Sequence, residues 1–209
     1  NIEIPDYRLE ETKNLVSILG NEVVEEFPWA NGMKPSTNDN VEGVLRRTWR
    51  PALSIVGSDG MPSTANAGNV LRPYTTLQLS MRIPPMVDPK KAVNAIEKIL
   101  KSDIPYGASV ELEFEEAAEG WNAPESKTWL LDAIEKASNK YFNEMPCTIG
   151  EGGTIPFMAM LGKQFPEAQF VITGVLGPQS NAHGPNEFLH IPFAKNLTCC
   201  ISSIITDFQ

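Results

Sequence analysis

The fold class this sequence predicts is an α+β unit, an antiparallel sheet with two helices on one face, followed by the strand-poor end of an α/β domain. Three patterns carry that expectation. Residues 75–83 and 109–115 alternate apolar and polar side chains with the period of a half-buried strand. Residues 89–100 place apolar side chains at helical spacing behind a proline-led start. Residues 168–175, "AQFVITGV", form a nearly continuous apolar run of the kind buried on both faces of a sheet.

Taken in order, "PDYRLEETKNLVSIL" opens on proline and acid and turns Leu9, Leu15, Val16 and Leu19 to one face, so it is expected to be a helix. "FPWANGMKPSTNDN" is rich in Pro, Gly, Asn and Ser and reads as loop. "ALSIV" is a strand and "GSDGMPSTANAGN" a small-residue loop. In "TTLQLSMRI", Thr75, Leu77, Leu79, Met81 and Ile83 share one face, and Thr76, Gln78, Ser80 and Arg82 the other. Asp88 then caps a helix that buries Ala92, Val93, Ile96, Ile99 and Leu100. "SVELEFE" returns as a strand burying Val110, Leu112 and Phe114.

After "EAAEGWNAPES" the pattern changes. Ser126 is expected to cap a helix with Leu130, Ala133, Ile134, Ala137 and Tyr141 inward. "GEGGTIPFMAMLGKQF" is a glycine-rich turn entering a short helix. The apolar strand 168–175 leads to the polar loop "LGPQSNAHGPNEFLHI" and a last helix from about Phe193 to Ile205. One or two strands for three helices are too few for a covered sheet, so the rest of that sheet is expected from chain outside these 209 residues.

Composition narrows the function classes. Hydrophobic residues at 42% and charged residues at 21% are ordinary for a globular chain. A net charge of −9 lacks the basic face that nucleic acid requires. No apolar run approaches the length of a membrane span. Cys147, Cys199 and Cys200 give no disulfide framework, and two of them adjoin in an apolar stretch, which favours a reducing, cytoplasmic setting.

The residues that bear chemistry are few. There are two histidines. His183 lies in a polar loop after an apolar strand, where open α/β folds place their sites, and imidazole is the commonest metal ligand. A single loop histidine is also commonly just solvated, and His190, beside the last helix, has less in its favour. Gly152, Gly153 and Thr154 lie in a turn whose backbone N–H groups are able to receive an anion, or which simply caps the following helix. Arg82 projects from a polar strand face and has the fork geometry for a carboxylate. Asn69, at a loop-to-strand junction, offers an amide to a substrate oxygen or to its own turn. Cys147 paired with His183 as a thiol hydrolase is a weaker reading, because no orienting acid is evident.

The order of these pieces is not generic. "RTWRPALSIVGSDG", "NVLRP", an arginine ending the next strand, "EGGTIP" and "NAHGPNE" together resemble the di-zinc exopeptidase and deacylase family of cytosolic non-specific dipeptidase, carnosinase, aminoacylase and acetylornithine deacetylase. The wording looks nearest to the carnosinase-like branch, and the resemblance covers roughly residues 45–209. It implies a lid, or dimerisation, domain with a helical lead-in over 1–117, and the C-terminal portion of a zinc-peptidase catalytic domain over 118–209. It implies that His183 is a ligand to one of two divalent metal ions, zinc or manganese. Asn69, Arg82, Gly152, Gly153 and Thr154 would be substrate-binding, and the chain would form a homodimer through the lid.

Two departures stand out. Gly184 replaces the serine of the family's "H-S-P-N-E"-like motif, and Gly150 stands where several members have arginine. The family's "H-x-D", bridging aspartate and paired "E-E" have no counterpart here; Glu10–Glu11, Glu25–Glu26 and Glu115–Glu116 lie in the wrong segments. No catalytic residue is therefore expected in this chain. It is expected to be part of a longer protein and inactive by itself. The implied activity is hydrolysis of a dipeptide or small peptide with a free carboxylate. The alternatives are an N-acyl amino acid deacylase and a non-catalytic dimerisation module.

Overall fold

A computed structural model describes residues 2–115, 117–150 and 156–208. Seven α-helices and a two-stranded antiparallel sheet form among the described residues. They are α1 (Asp6–Leu19), α2 (Glu22–Glu25), α3 (Asn40–Thr48), β1 (Ala52–Asp59), β2 (Thr76–Arg82), α4 (Pro89–Leu100), α5 (Thr128–Phe142), α6 (Pro156–Gln164) and α7 (Ile191–Asp207). The chain divides into two compact units: 1–6, 21–122 and 150–157 in the first, and 7–20, 123–149 and 158–209 in the second.

In the first unit, β1 and β2 pair as expected. Leu53 faces Met81, Ser54 faces Ser80, Ile55 faces Leu79 and Ala52 faces Arg82, with a bulge between Ile55 and Gly57. Directly paired residues point to the same side. One face of the hairpin is therefore apolar, with Leu53, Ile55, Leu77, Leu79 and Met81, and the other is polar, with Ser54, Gln78, Ser80 and Arg82. Helix α3 was not legible as a helix beside the loop that precedes it. Its start is set by Asp39, whose carboxylate accepts the N–H groups of Val41 (2.9 Å) and Glu42 (3.3 Å). Val44 and Leu45 are buried, as are Val23 of α2 and Trp49 just beyond α3. Asp88 caps α4 as the sequence predicts, accepting from Lys90 (2.9 Å) and Lys91 (3.1 Å).

In the second unit, α5 packs on α7. Leu130, Ala133 and Ala137 meet Cys200 and Ile204, with Ile134, Tyr141 and Phe142 partly buried around them. That is the stripe expected of α5. Phe142 and Phe193 stack at 5.3 Å and Trp129 and Phe208 at 5.1 Å, closing the two ends of the pair. Helix α1 buries Thr12 and Leu15.

Four expectations are corrected. Residues 109–115 and 168–175 are not strands. Alternation or apolarity records which way side chains would point, but a strand also needs a ladder with a neighbouring strand, and among the described residues the only ladder is that of β1 with β2. Val171, Ile172 and Val175 are exposed, not buried on both sides. The sheet accordingly has two strands, and every residue of both except Gly57 is exposed, so no pair of helices covers one face. In α4, Ala92, Val93 and Ile96 are half-buried, while Ile99 and Leu100 stay exposed. Ser126 is not the cap of α5; Lys127 takes that position without a side-chain bond, and its N–H donates to Gln169 Oε1 at 2.6 Å.

Candidate functional site

The loop carrying His183 is built from its two ends. At the far end His190 is the N-cap of α7: its Nδ1 accepts the N–H of Phe193 at 3.1 Å, while its own N–H donates to Leu176 O at 2.8 Å. An Nδ1 that accepts leaves the proton on Nε2 of the neutral ring. This histidine is a structural cap. At the near end the buried Ser180 hydroxyl lies 2.7 Å from Leu176 O and 3.0 Å from Gly177 O, and Phe188 N–H donates to Ser180 O at 3.1 Å. Gly177 has φ +86, and a Cβ there would fall 2.7 Å from His190 Cβ. Only glycine permits that approach.

Inside this frame, four residues with side chains hold positive φ: Gln179 (59), Asn181 (53), His183 (61) and Asn186 (58). Local bonds support them. Asn181 Nδ2 donates to Pro185 O at 2.6 Å, and His183 N–H donates to Glu187 Oε2 at 2.6 Å. Gly184, the departure from the family motif, has a use here: a Cβ at 184 would lie 2.5 Å from Asn181 Nδ2, so the glycine gives the Asn181 amide its place.

His183 is exposed, and among the described residues none takes its imidazole. The donor chemistry fits one coordination position of a divalent metal. It does not make a complete site, since the described residues include no group of three His, Cys, Asp or Glu able to hold an ion.

Arg82 lines a cleft of about 470 Å3 between the polar face of the hairpin, α2, α3 and the 29–37 segment. Val23, Phe27 and Trp29 form an apolar wall there, and Arg46, Arg47 and Arg50 contribute further guanidinium groups. Those three are engaged. Arg46 and Arg50 reach Glu42 at 3.2 and 3.3 Å, and Arg47 reaches Glu26 at 2.7 Å. The Arg50 hydrogen bond, with that of Arg46, holds Glu42 below its ordinary value of 4.5 although burial opposes the shift. No described residue takes the guanidinium of Arg82. Sequence reading singled out Arg82 but missed this arginine cluster; the signal was "RRTWR" behind an Asp cap.

The other expected residues are placed as follows. Asn69 is exposed in the loop after a 3-10 turn at Thr64–Asn66, and it does not line the cleft of Arg82. Asn69 and Arg82 belong to the first unit and His183 to the second. Gly152, Gly153 and Thr154 lie outside the described residues. Gly150 sits against Thr48, 3.2 Å from where a Cβ would be. Cys147 is at the surface yet hemmed in enough that burial raises its thiol pKa, the opposite of an activated nucleophile. Among the described residues no helix is long and apolar enough to cross a membrane.

No family model matches the chain. The cysteinylglycine-S-conjugate dipeptidase of Corynebacterium striatum is 27% identical over 152 residues, covering 70% of this chain and 33% of that protein. The Cys-Gly metallodipeptidase DUG1 of Saccharomyces cerevisiae is 30% identical over 142 residues, covering 64% of this chain and 28% of that protein. Over these stretches the chain is similar to both metallodipeptidases. It spans about a third of the length of the curated relatives it matches. The fold agrees with the M20 family metallo-carboxypeptidase Sso-CP2 of Sulfolobus solfataricus, at a TM-score of 0.70 and 18% identity, over 97% of this chain and 45% of that one.

Proposed function

We propose that the protein carrying this chain is a metal-dependent dipeptidase acting on short peptides with a free carboxylate, Cys-Gly among them. The observation that carries this reading is the imidazole of His183, which no described residue takes, held in a loop tied at both ends on a chain similar to two metallodipeptidases. His183 would hold one of two divalent ions, zinc or manganese, with the remaining ligands and the general base drawn from outside the described residues. Such an ion supplies Lewis acidity toward the scissile carbonyl and acidifies water.

The residues of this chain bind and orient. Arg82 would grip the substrate carboxylate from the cleft, where no described residue takes its guanidinium. Gly152, Gly153 and Thr154, outside the described residues, would supply N–H groups to the same carboxylate, and the Asn69 amide would donate to the carbonyl oxygen as charge develops there. Residues 1–117 would serve as lid and 118–209 as the end of the catalytic domain, with residues 7–20 belonging to the second compact unit, and the three free thiols accord with a cytoplasmic setting.

Self-association is a second part of this reading. The apolar hairpin face favours it, with Leu53 57%, Ile55 64% and Leu79 42% exposed. The homodimer would form through the lid.

The test is Cys-Gly hydrolysis and bound-metal analysis on the naturally expressed protein, its His183→Ala and Arg82→Ala variants, and this chain alone. We expect His183→Ala to lose metal and turnover, and Arg82→Ala to raise KM for dipeptides but not for their C-terminal amides. This chain alone should be inert. Preference for N-acyl amino acids over dipeptides would make the protein a deacylase, and turnover by the isolated chain would overturn the proposal.

A further inference from the structure

We propose that Glu187 is a positioning residue for His183: its carboxylate fixes the left-handed backbone at 183 and thereby the direction of the imidazole. This rests on the reading of His183 as a metal ligand given above. At φ 61, His183 occupies a region that residues bearing a Cβ populate sparingly, so something must hold it there. Burial does not hold it, because Asn181 through His183 and Pro185 through Leu189 are all exposed. What remains is the loop's own hydrogen bonding. Gly184 N–H donates to Asn181 O at 2.9 Å and Asn181 Nδ2 to Pro185 O at 2.6 Å, shaping the turn around the histidine.

The one bond made by residue 183 itself within this loop is its N–H to Glu187 Oε2, at 2.6 Å. An ionised acceptor makes it stronger than its neighbours, whose acceptors are carbonyls. Glu187 also lies one residue before Phe188, whose N–H is tied to the carbonyl of the buried Ser180. The carboxylate is thus anchored from the interior while it holds the exposed histidine. Rotation of the backbone at 183 would carry the ring away from any fixed coordination point, which is how outer partners of a ligand histidine control affinity.

Glu187→Ala, Glu187→Gln and Glu187→Asp are compared with wild type and His183→Ala in the naturally expressed protein. The readouts are hydrogen exchange of the 179–188 segment in metal-free protein, Zn2+ affinity by competition with a chelating dye, and melting temperature. Glu187→Ala should speed exchange of the segment and weaken Zn2+ binding about 10–100-fold with the melting temperature unchanged. Glu187→Gln, whose amide oxygen still accepts, should recover most of both, and the shorter Glu187→Asp little. Unchanged exchange and affinity in Glu187→Ala overturn the proposal. Should Glu187→Ala fail to fold, the contrast between Glu187→Gln and Glu187→Asp decides. If His183→Ala itself binds Zn2+ as wild type does, the ligand assignment fails instead, and the exchange data alone judge the clasp.

Discussion

Substituting Gly177 by alanine probes the frame on which the His183 loop hangs. At φ +86 the new residue would occupy left-handed backbone, and its Cβ would fall 2.7 Å from His190 Cβ and 3.0 Å from both Cβ and Cγ of Phe193. These neighbours have no flexible end to swing aside, because His190 caps α7 and Phe193 lies in its first turn. The conformational cost is about 1–2 kcal/mol for a residue with a Cβ, and the overlap about 1–3 kcal/mol, together about 2–5 kcal/mol. For a chain of this size each kcal/mol moves the melting temperature by about 2–4 °C, so a fall of about 4–20 °C is expected. Gly20 supplies the control: it has φ +56 and nothing within 4 Å of a would-be Cβ, so Gly20→Ala isolates the conformational part. Circular dichroism melts of both variants read the difference directly. A Gly177→Ala melt no lower than that of Gly20→Ala would refute the packing of the loop root against α7.

Three other outcomes are expected of the same fold. Leu130 is 1% exposed in the α5–α7 core, so Leu130→Ala should cost about 2–5 kcal/mol in urea unfolding. Glu42 has its pKa lowered by Arg50 and Arg46, so its stabilising effect is complete above its ordinary 4.5 and is lost as pH falls through the lower folded value. Glu42→Gln should therefore flatten the decline of the urea midpoint below about pH 4.5 that wild type shows. Wild type should scatter light as the proposed dimer and Leu79→Glu, on the exposed apolar face of β2, as a monomer with bound metal unchanged; a monomeric wild type or a dimeric variant would refute association through this face.

Much of the helical framework could be read from the sequence because its signals are local. The Asp88–Pro89 start of α4 and the Leu130, Ala133, Ala137 stripe of α5 need only the chain's own neighbours, and both formed as expected. The hairpin was legible for the same reason: β1 and β2 supply each other's partner across one loop. Residues 109–115 and 168–175 were not, because the edge that would pair them is not a property of the segment. Short α3 was hidden by Gly43 and by the polar run leading into it, although Asp39 was there to cap it.

The candidate site divides along the same line. Residue type and motif order single out His183 and Arg82, since those signals survive without geometry. What makes each of them available is geometric and crosses the chain's local periodicity. No described residue takes the guanidinium of Arg82, while Glu42 and Glu26 are taken by Arg46, Arg50 and Arg47 of the same cleft, thirty or more positions earlier in the chain. Of the two histidines, His190 is engaged as the cap of α7, while no described residue takes the imidazole of His183. In the sequence, a loop histidine four residues before a glutamate reads the same whether the carboxylate meets the ring or the backbone. The structure gives Glu187 to the backbone N–H, and that choice leaves both ring nitrogens of His183 untaken among the described residues.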